Sequence, residues 1–317
     1  MAKYTVKRLL QSCLTVFIVV TIVFLLLRLM PTDYYFTEEQ LIKLTDQQKN
    51  DQLAAAGLLD SPIAQLFRFY EQLLLHFDLG TSRRIQNSVP VTEVIGNKFG
   101  ISMKIGSISL GIALLLGVPM GVLQARFKNG VFDHVGTGYT IFVNAVPHLV
   151  SYSLILVFGA RVLKLPSMYS TRNVAVSSIM PVACLALGSI AGYALWTRRY
   201  MVDELTKDYI KLAKVKGMST QSIMFRHVLK NAFVPLAQYL PYSFLLTIGG
   251  SLLAERFFSV PGMGPLLTDA ITRYDTNIVQ ALVMFYATLG VIGVFLGDVL
   301  MTIIDPRIRL TGKGEVR

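Results

Sequence analysis

The amino-acid sequence predicts an all-α integral membrane protein with six transmembrane helices and a small helical segment outside the membrane. Hydrophobic residues make up 53% of the 317 residues and charged residues only 15%, whereas average soluble domains have roughly 45–50% and about 25%. Six apolar runs reach the length of about 20 residues that a helix needs to cross a bilayer. These runs do not alternate in polarity, so helices are expected rather than the strands of a barrel.

The six expected spans are distributed along the chain. They lie at residues 9–30, 101–124, 134–160, 174–196, 232–254 and 277–304. The first run is too long for the hydrophobic part of a signal peptide, and Arg28 and Pro31 stand where a cleavage site would be. We therefore expect the first span to be retained as a membrane helix.

Basic residues flank these spans unevenly, which predicts the orientation of the chain. If the N-terminus is cytoplasmic, the inside segments hold 17 Lys and Arg, whereas the outside segments hold 11 over a longer stretch. The positive-inside rule then places both termini in the cytoplasm. The basic residues lie next to spans and are not interleaved with aromatic residues on one face, so nucleic-acid binding is not expected.

The spans and their orientation divide the chain into four expected parts. Residues 1–30 form the cytoplasmic N-terminus and first span, 31–100 an extracytoplasmic helical segment, 101–304 the transmembrane core, and 305–317 a cytoplasmic tail. The core includes a cytoplasmic loop, 197–231, and an outward loop, 255–276.

The extracytoplasmic segment has local signals for two helices. Thr37 followed by Gln40 is typical of a capping box that opens a helix, expected to run to about residue 56. Ser61 followed by Pro62 predicts the N-cap and first position of a second helix, and residues 78–82 predict a turn. Contact with an external partner and shielding of the span ends are both compatible with this segment.

The cytoplasmic loop 197–231 is long, amphipathic and interrupted by one glycine. Residues 203–216 predict a helix, Gly217 predicts its left-handed end, and Ser219 predicts the N-cap of a second short helix. Two short helices with a fixed bend suit insertion into a groove on a cytoplasmic protein. They would also suit an interfacial helix pair on anionic lipid, and the residues alone leave both open.

Two further places are candidates for function. The outward loop contains PGMGP at 261–265, which is not expected to continue a helix, and a re-entrant gate or a surface turn would both fit it. Its candidate gate or path residues are Glu255, Phe257, Phe258, Pro261, Gly262 and Gly264. Asp298 is an acid inside the last span, where a structural partner and a proton-coupled role are both possible.

Motifs for enzymatic chemistry are missing from the sequence. It has no nucleotide-binding GxxxxGK[ST], no HExxH and no GxSxG motif, so we expect no catalytic, cofactor-binding or metal site on this chain. A stand-alone secondary transporter is the rival interpretation. Such proteins usually have internal repeats and intramembrane charges, and no repeat of the first half is seen in the second.

Six motifs carry a resemblance to a known family. Residues 208–219 (DYIKLAKVKGMS), with 226–232 (RHVLKNA) and Pro235, resemble the EAA loop that marks permease subunits of ABC importers. Residues 7–10, 78–82, 117–122, 255–264 and 305–310 follow the order of the first membrane subunit of dipeptide and oligopeptide permeases. The resemblance covers nearly the whole chain. Lys211, Leu212 and Ala213 stand at the Glu-Ala-Ala positions, so the role of that glutamate is not carried over.

The resemblance implies a multi-pass subunit of a bacterial inner or cytoplasmic membrane that imports oligopeptides, with dipeptides or nickel chelates as alternative cargo. The implied partners are a second, usually different permease chain, two cytoplasmic ATPases that carry ATP and Mg, and an extracytoplasmic peptide-binding protein. The residues implied for contact with the ATPases are Tyr209, Leu212, Ala213, Gly217, Ser219 and Arg226, with Gly217 at the bend and Ala213 in close contact.

Overall fold

The computed structural model describes residues 2–304, except for the side chains of residues 2–5 and Glu38. Within that range the chain is helical apart from short connections, and its one isolated bridge joins Thr81 to Pro90. The expected cytoplasmic tail 305–317, with the motif at 305–310, lies outside the described residues.

The helices are numbered in chain order. They are α1 Ala2–Arg28, α2 Glu38–Lys43, α3 Asp46–Ala55, α4 Pro62–His76, α5 Val91–Arg126, α6 Val131–Ala145, α7 His148–Arg161, α8 Val174–Ser177, α9 Ile179–Leu205, α10 Asp208–Val215, α11 Thr220–Ile223, α12 Lys230–Ile248, α13 Leu252–Phe257, α14 Met263–Thr272 and α15 Thr276–Ile304. A 3₁₀ turn, Thr32–Tyr35, follows α1, and a π-helical turn, Met224–Leu229, joins α11 to α12.

Five helical stretches are long and apolar enough to cross a membrane, and a bent helix pair makes six if the pair counts as one span. This confirms the predicted all-α membrane fold. The expected continuous span at 134–160 is wrong, because α6 and α7 meet at a bend of 108°. Pro147 precedes α7, and proline has no backbone N–H with which to continue the helix from α6.

The described chain forms two compact units. The first, which we call the core unit, contains residues 2–9, 98–265 and 289–304, and the second contains residues 10–97 and 266–288. They are described separately below.

Glycines bring the helices of the core unit into close contact. A Cβ atom on Gly121 of α5 would lie 2.5 Å from the carbonyl oxygen of Ala194 in α9. A Cβ atom on Gly297 of α15 would lie 2.1 Å from the carbonyl oxygen of Gln238 in α12, and Gly293 meets Tyr242 one turn away. Small residues four positions apart let helix backbones approach closely in membranes, where lipid gives no hydrophobic drive to association.

A buried carboxylate organises the second unit. Asp275, before α15, accepts hydrogen bonds at Oδ2 from the Ser82 hydroxyl at 2.6 Å and from the backbone N–H groups of Arg83, Arg84 and Ile85 at 2.9–3.1 Å. The predicted turn at 78–82 thereby leads into a loop that wraps around this acid. Gly80 in the turn has φ +77°, a conformation that glycine adopts without strain.

The predicted helices of segment 31–100 are confirmed in part. Ser61 caps α4 and Pro62 is its first residue, as expected. The single helix expected from Thr37 to residue 56 is wrong, because the chain breaks at Leu44 and Thr45 opens a second capping box with Gln48. Each capping box satisfies free N–H groups at the start of its own helix, so two boxes in succession stabilise two short helices.

We predict that Gly297→Ala lowers the thermal stability of the chain in detergent, because the added methyl group meets a backbone carbonyl of α12. Overpacking of this kind costs about 1–3 kcal/mol. Gly290→Ala is the matched control on the same helix, since no atom lies within 4 Å of its added Cβ. Alanine favours helix over glycine, so the control is expected to unfold at the same temperature or higher. Equal unfolding temperatures for the two variants would contradict the close α12–α15 contact.

Candidate functional site

Loop 197–231 has the predicted bend at Gly217. Its φ is +78°, its N–H donates to the Lys214 carbonyl at 3.0 Å, and the N–H of Met218 donates to the Ala213 carbonyl at 3.2 Å. Ser219 then caps the next helix, because its hydroxyl accepts a hydrogen bond from the N–H of Ser222 at 3.3 Å. The end of one helix and the start of the next are therefore as the sequence predicts.

The lengths of the two loop helices differ from the prediction. The helix expected at 203–216 is broken at Thr206 and Lys207, so that α9 ends at Leu205 and α10 begins at Asp208. The second helix is not short, because α11 continues through the π-helical turn into α12. The loop is thus continuous with a membrane helix, and a π-helical turn of this kind is frequent at functional sites.

An apolar cluster fixes α10 to the rest of the core unit. Ile210 and Ala213 of α10 pack with Ile223, Met224 and Val228 of the following helix. The same cluster includes Val122 and Ala125 of α5 and Met201 of α9. The loop is therefore held against the ends of two membrane helices.

The exposed face of α10 differs from the one expected. Ala213 was expected to contact an ATPase directly, but its side chain is only 6% exposed because it packs inside this cluster. Leu212 and Val215 are the exposed apolar residues of α10, with Val215 84% exposed. Phe225 and Arg226 are exposed on the next helix. These four side chains belong to the exposed surface of the loop, together with Lys211, Lys214 and Lys216.

Tyr209 ties α10 to both neighbouring membrane helices. Its hydroxyl donates to the carboxylate of Glu204 at the end of α9 and accepts from Nδ2 of Asn231 in α12 at 2.8 Å. Burial raises the pKa of Tyr209 to about 12, and the bond to Glu204 adds to the rise. The hydroxyl therefore stays protonated at neutral pH and serves as a fixed hydrogen-bond donor.

Loop 255–276 is buried around Glu255. This carboxylate is 1% exposed and accepts hydrogen bonds from the N–H of Gly264 at 2.9 Å, from the Ser102 hydroxyl and from the backbone of Ser251. Ser102 of α5 in turn accepts from the N–H of Met263 at 2.8 Å. A plain surface turn does not describe this arrangement, since the loop is fastened to α5 from inside.

The other nominated residues of this loop fill distinct positions. A Cβ atom on Gly262 would lie 2.4 Å from the Glu255 carboxylate, so only glycine fits there. Phe258 is buried in an apolar cluster, whereas Phe257 is half-buried with its ring 5.8 Å from that of Tyr152. The expectation that 261–265 cannot be helical is wrong in part, because α14 begins at Met263 and its first turn contains Gly264. Residues 258–262 separate α13, which ends at Phe257, from α14.

A cavity of about 880 Å³ lies among α5, α6, α7, α9 and α12. Its wall is largely aliphatic and aromatic, and it also carries polar side chains, which include Tyr139, Asn144, His148, Ser151, Tyr193, Tyr239 and Ser243. Among the described residues, the lining contains no Asp, Glu, Lys or Arg. The bend between α6 and α7 helps to form it, since Asn144 and His148 flank the bend.

The candidate residues that the sequence predicted do not line this cavity, as far as the structure describes them. Phe257 contacts the cavity wall through Tyr152. The available signal was the presence of polar residues, such as Asn144 and Ser189, within apolar runs. Polar groups at membrane depth face the protein interior or a cavity.

Comparisons with known proteins agree with this geometry. The profile of a family described as "Binding-protein-dependent transport system inner membrane component" matches residues 117–310, which is more than half of the chain. The chain belongs to this family. It is therefore a permease subunit of an inner membrane transport system, not itself catalytic, and the family implies ATPase and binding-protein partners.

Relatives match the permease over nearly its full length. The dipeptide transport system permease protein DppB of Bacillus subtilis (strain 168) is 31% identical over 315 residues, covering 99% of this chain and 100% of the relative. The oligopeptide transport system permease protein OppB of Haemophilus influenzae is 31% identical over 310 residues, covering 98% and 100%. The resemblance drawn from the six motifs is confirmed.

A solved structure supports the fold. The MetNI methionine ABC transporter, described in inward-facing conformations, aligns with a TM-score of 0.54 over 67% of this chain and 97% of that one. The sequence identity is 12%, so this likeness shows the shared helical fold.

Asp298 of the permease is fully occupied by partners from two other helices. Its Oδ2 accepts from Nε of Arg8 in α1 at 2.7 Å, and its Oδ1 accepts from Nε2 of Gln238 in α12 at 3.0 Å. The side chain is buried, so this ion pair joins three helices of the core unit. The geometry favours the structural interpretation of Asp298.

A second buried ion pair was missed from the sequence. Asp133 of α6 is buried. Its carboxylate accepts hydrogen bonds from Nη2 of Arg198 in α9 at 2.8 Å and from the N–H of Asn129 at 2.9 Å. The two residues are 65 positions apart, and each lies beside a predicted span end, where charged residues are ordinary. Their pairing depends on the packing of α6 against α9.

We predict that Glu255→Ala destabilises the permease, because the hydroxyl of Ser102 and the N–H of Gly264 lose their buried acceptor. An unsatisfied buried donor costs about 1–3 kcal/mol. Thermal unfolding of the purified chain in detergent measures the loss, with Glu71→Ala, at an exposed position of α4, as the control. Glu255→Gln keeps one acceptor oxygen and is expected to fall between the two. Unfolding of Glu255→Ala at the wild-type temperature would refute this role.

Proposed function

We propose that this permease forms one half of the translocation path of an ATP-driven importer of oligopeptides. The observation that carries the proposal is the uncharged cavity of about 880 Å³. Its volume is in the upper part of the range of about 300–1,000 Å³ that is typical of small-molecule sites. Peptides share a polar backbone but differ in side-chain charge, and a wall of neutral hydroxyl, amide and aromatic groups can bind the backbone without selecting one charge.

Relatives support this cargo class. The matching proteins are named as permeases of dipeptide and oligopeptide transport systems. We favour oligopeptides because the cavity is large, at about 880 Å³, and is lined by residues from five helices. Dipeptides or nickel chelates are the alternative cargo for the same type of complex.

The rest of the complex supplies the energy and delivers the cargo. In this proposal a second, different permease chain completes the path, an extracytoplasmic binding protein delivers peptide, and two cytoplasmic ATPases bind ATP with Mg and hydrolyse it. Loop 197–231 contacts the ATPases through Leu212, Val215, Phe225 and Arg226, which the bundle leaves exposed. Tyr209, Ala213, Gly217 and Ser219 act inside the loop by fixing its shape.

The rival function, a stand-alone secondary transporter, has less support. Such a role needs an intramembrane acid that can exchange protons, and Asp298 is the candidate that the sequence offers. Its two oxygens accept hydrogen bonds from Arg8 and Gln238, which supports a role in holding three helices together.

We predict that Gly217→Pro abolishes transport while the protein still inserts into the membrane. Proline fixes φ near −65°, which is incompatible with the φ of +78° at the bend, so α11 would leave its position against α10. The assay is ATP-dependent uptake of a labelled tetrapeptide by proteoliposomes that contain the permease with its co-purifying partners. The wild-type complex is expected to take up tetrapeptide, and the variant is expected to lose nearly all uptake.

Gly217→Asn is the matched control, because asparagine tolerates the left-handed conformation and no atom lies within 4 Å of the added Cβ. Its uptake is expected to stay near that of the wild type. Normal uptake by Gly217→Pro would reject the coupling role. Wild-type proteoliposomes that accumulate a dipeptide or a nickel chelate but no tetrapeptide would reject the oligopeptide assignment and leave the coupling role standing.

We predict that both termini face the cytoplasm and test this with single cysteines in a background without Cys13 and Cys184. Cysteine in place of the exposed Lys43 is expected to react with a membrane-impermeant thiol reagent in intact cells. Cysteine in place of the exposed Lys214 is expected to react only after permeabilisation. The opposite pattern would reverse the orientation.

A further inference from the structure

Helix α9 forms one long wall of the cavity in the core unit. Its lining residues lie between positions 184 and 200, which is about 24 Å of helix at 1.5 Å per residue. Residues of α12 between positions 235 and 247 line the cavity over about 18 Å in the same way. The hydroxyl groups of Tyr193 and Ser243 are hydrogen-bonded where the two helices meet. The cavity therefore extends over several turns of both helices.

Two glycines on the cavity side of α9 have no packing role among the described residues. A Cβ atom on Gly188 or on Gly192 would meet no atom within 4 Å. By contrast, Gly121 of α5 lies against the other side of α9, where its added Cβ would lie 2.5 Å from the carbonyl oxygen of Ala194. Positions 192 and 194 are about 200° apart around a helix of 3.6 residues per turn. Gly188 and Gly192 thus face away from α5 and line the cavity.

These two glycines weaken the helix that contains them. After proline, glycine is the least favourable residue inside a helix. Gly121 offsets this cost through a close contact between two helices, whereas Gly188 and Gly192 make no such contact within the described chain. A missing side chain lets the backbone of another molecule approach closely. We therefore looked for a molecule outside this chain that could approach α9 at the two glycines.

The side chains along this wall change from small to large. Ser189 lies beside the two glycines, and Trp196 follows Gly192 by about one turn on the same face. The Trp196 ring is 40% exposed and is stacked on the ring of Tyr200, with centroids 5.6 Å apart. We call the part of the wall formed by Gly188, Ser189, Gly192 and Trp196 the α9 groove. Its floor is low at the glycines and is bounded by the aromatic pair.

The length of this wall suits an extended peptide. An extended chain rises about 3.3 Å per residue, so a tetrapeptide covers about 13 Å and the wall of about 24 Å has room for it. A dipeptide would cover only about 7 Å. A side chain added at position 188 or 192 would occupy space in the cavity that the cargo needs.

We propose that the cargo peptide binds in an extended conformation along the α9 groove, and that Gly188 and Gly192 determine the size of the side chains that the path accepts. This inference rests on the proposed function of the cavity as part of the translocation path. It goes further because it assigns residues that select cargo by size.

The test is ATP-dependent uptake of two labelled tetrapeptides by proteoliposomes that contain the permease with its co-purifying partners. One peptide is tetra-alanine, and the other has phenylalanine at its two central positions. The wild type is expected to take up both. Gly192→Leu is expected to lower uptake of the phenylalanine peptide roughly tenfold more than uptake of tetra-alanine, because the leucine fills space that a large side chain needs.

Gly290→Leu in α15 is the matched control. No atom lies within 4 Å of its added Cβ, and α15 contributes none of the described residues that line the cavity. The ratio of the two uptake rates is expected to stay at the wild-type value. Should Gly192→Leu fail to elute as a single species, Gly188→Leu on the same wall replaces it.

Three results would overturn the proposal. An equal loss of both peptides in Gly192→Leu would show that the glycines do not select by size, and a simultaneous loss of the second permease chain from the purified complex would identify a helix of that chain as the occupant. Full uptake of both peptides by Gly192→Leu would reject the α9 groove alone. A wild-type complex that takes up neither tetrapeptide would reject the proposed oligopeptide function and this inference together.

Discussion

Much of the packing of this permease depends on its buried carboxylates. Each of them needs hydrogen-bond donors, and these donors come from the protein itself. A buried carboxylate has no access to water, so each buried acid must find its donors on other segments of the chain. Asp298 takes them from α1 and α12, Asp133 from α9, and Glu255 from α5 and α14. In the second unit, Asp275 takes them from the loop at 82–85. Each acid ties together elements that are far apart in sequence.

These ties and the glycine contacts act together within the core unit. Gly293 and Gly297 bring α15 against α12 near the level at which Gln238 donates to Asp298. The acids fix the register of neighbouring helices, because a shift along the axis would leave a buried charge unpaired. The glycines fix the spacing, because a larger residue cannot fit between the backbones. The cavity is the space that remains where α6 and α7 bend away.

Local features of this structure could be predicted from the sequence, and features that depend on packing could not. The six spans, the bend at Gly217 and the caps at Ser61 and Ser219 follow from length, φ preference and side-chain oxygens. Two features depend on which helices pack together: the buried position of Ala213 and the pairing of Asp133 with Arg198. The hydrophobic periodicity of the sequence does not show which helices are neighbours. The break between α6 and α7 had a local signal, which was Pro147. This proline has little effect on the mean hydropathy of a long apolar run, so hydropathy alone did not predict the break.

The continuity of α11 with α12 has a geometric consequence. From Thr220 to Ile248 the chain is one helical rod of 29 residues, roughly 43 Å long at 1.5 Å per residue. A tilt of only about 5° at one end would displace the other by about 4 Å, simply from this length. Beyond Ile248, Gly250 at φ +101° gives the rod a joint, and Glu255 lies one turn past it. If the rod tilts about Gly250, its far end beside the bend at Gly217 moves farthest, while the end next to the buried carboxylate of Glu255 hardly moves.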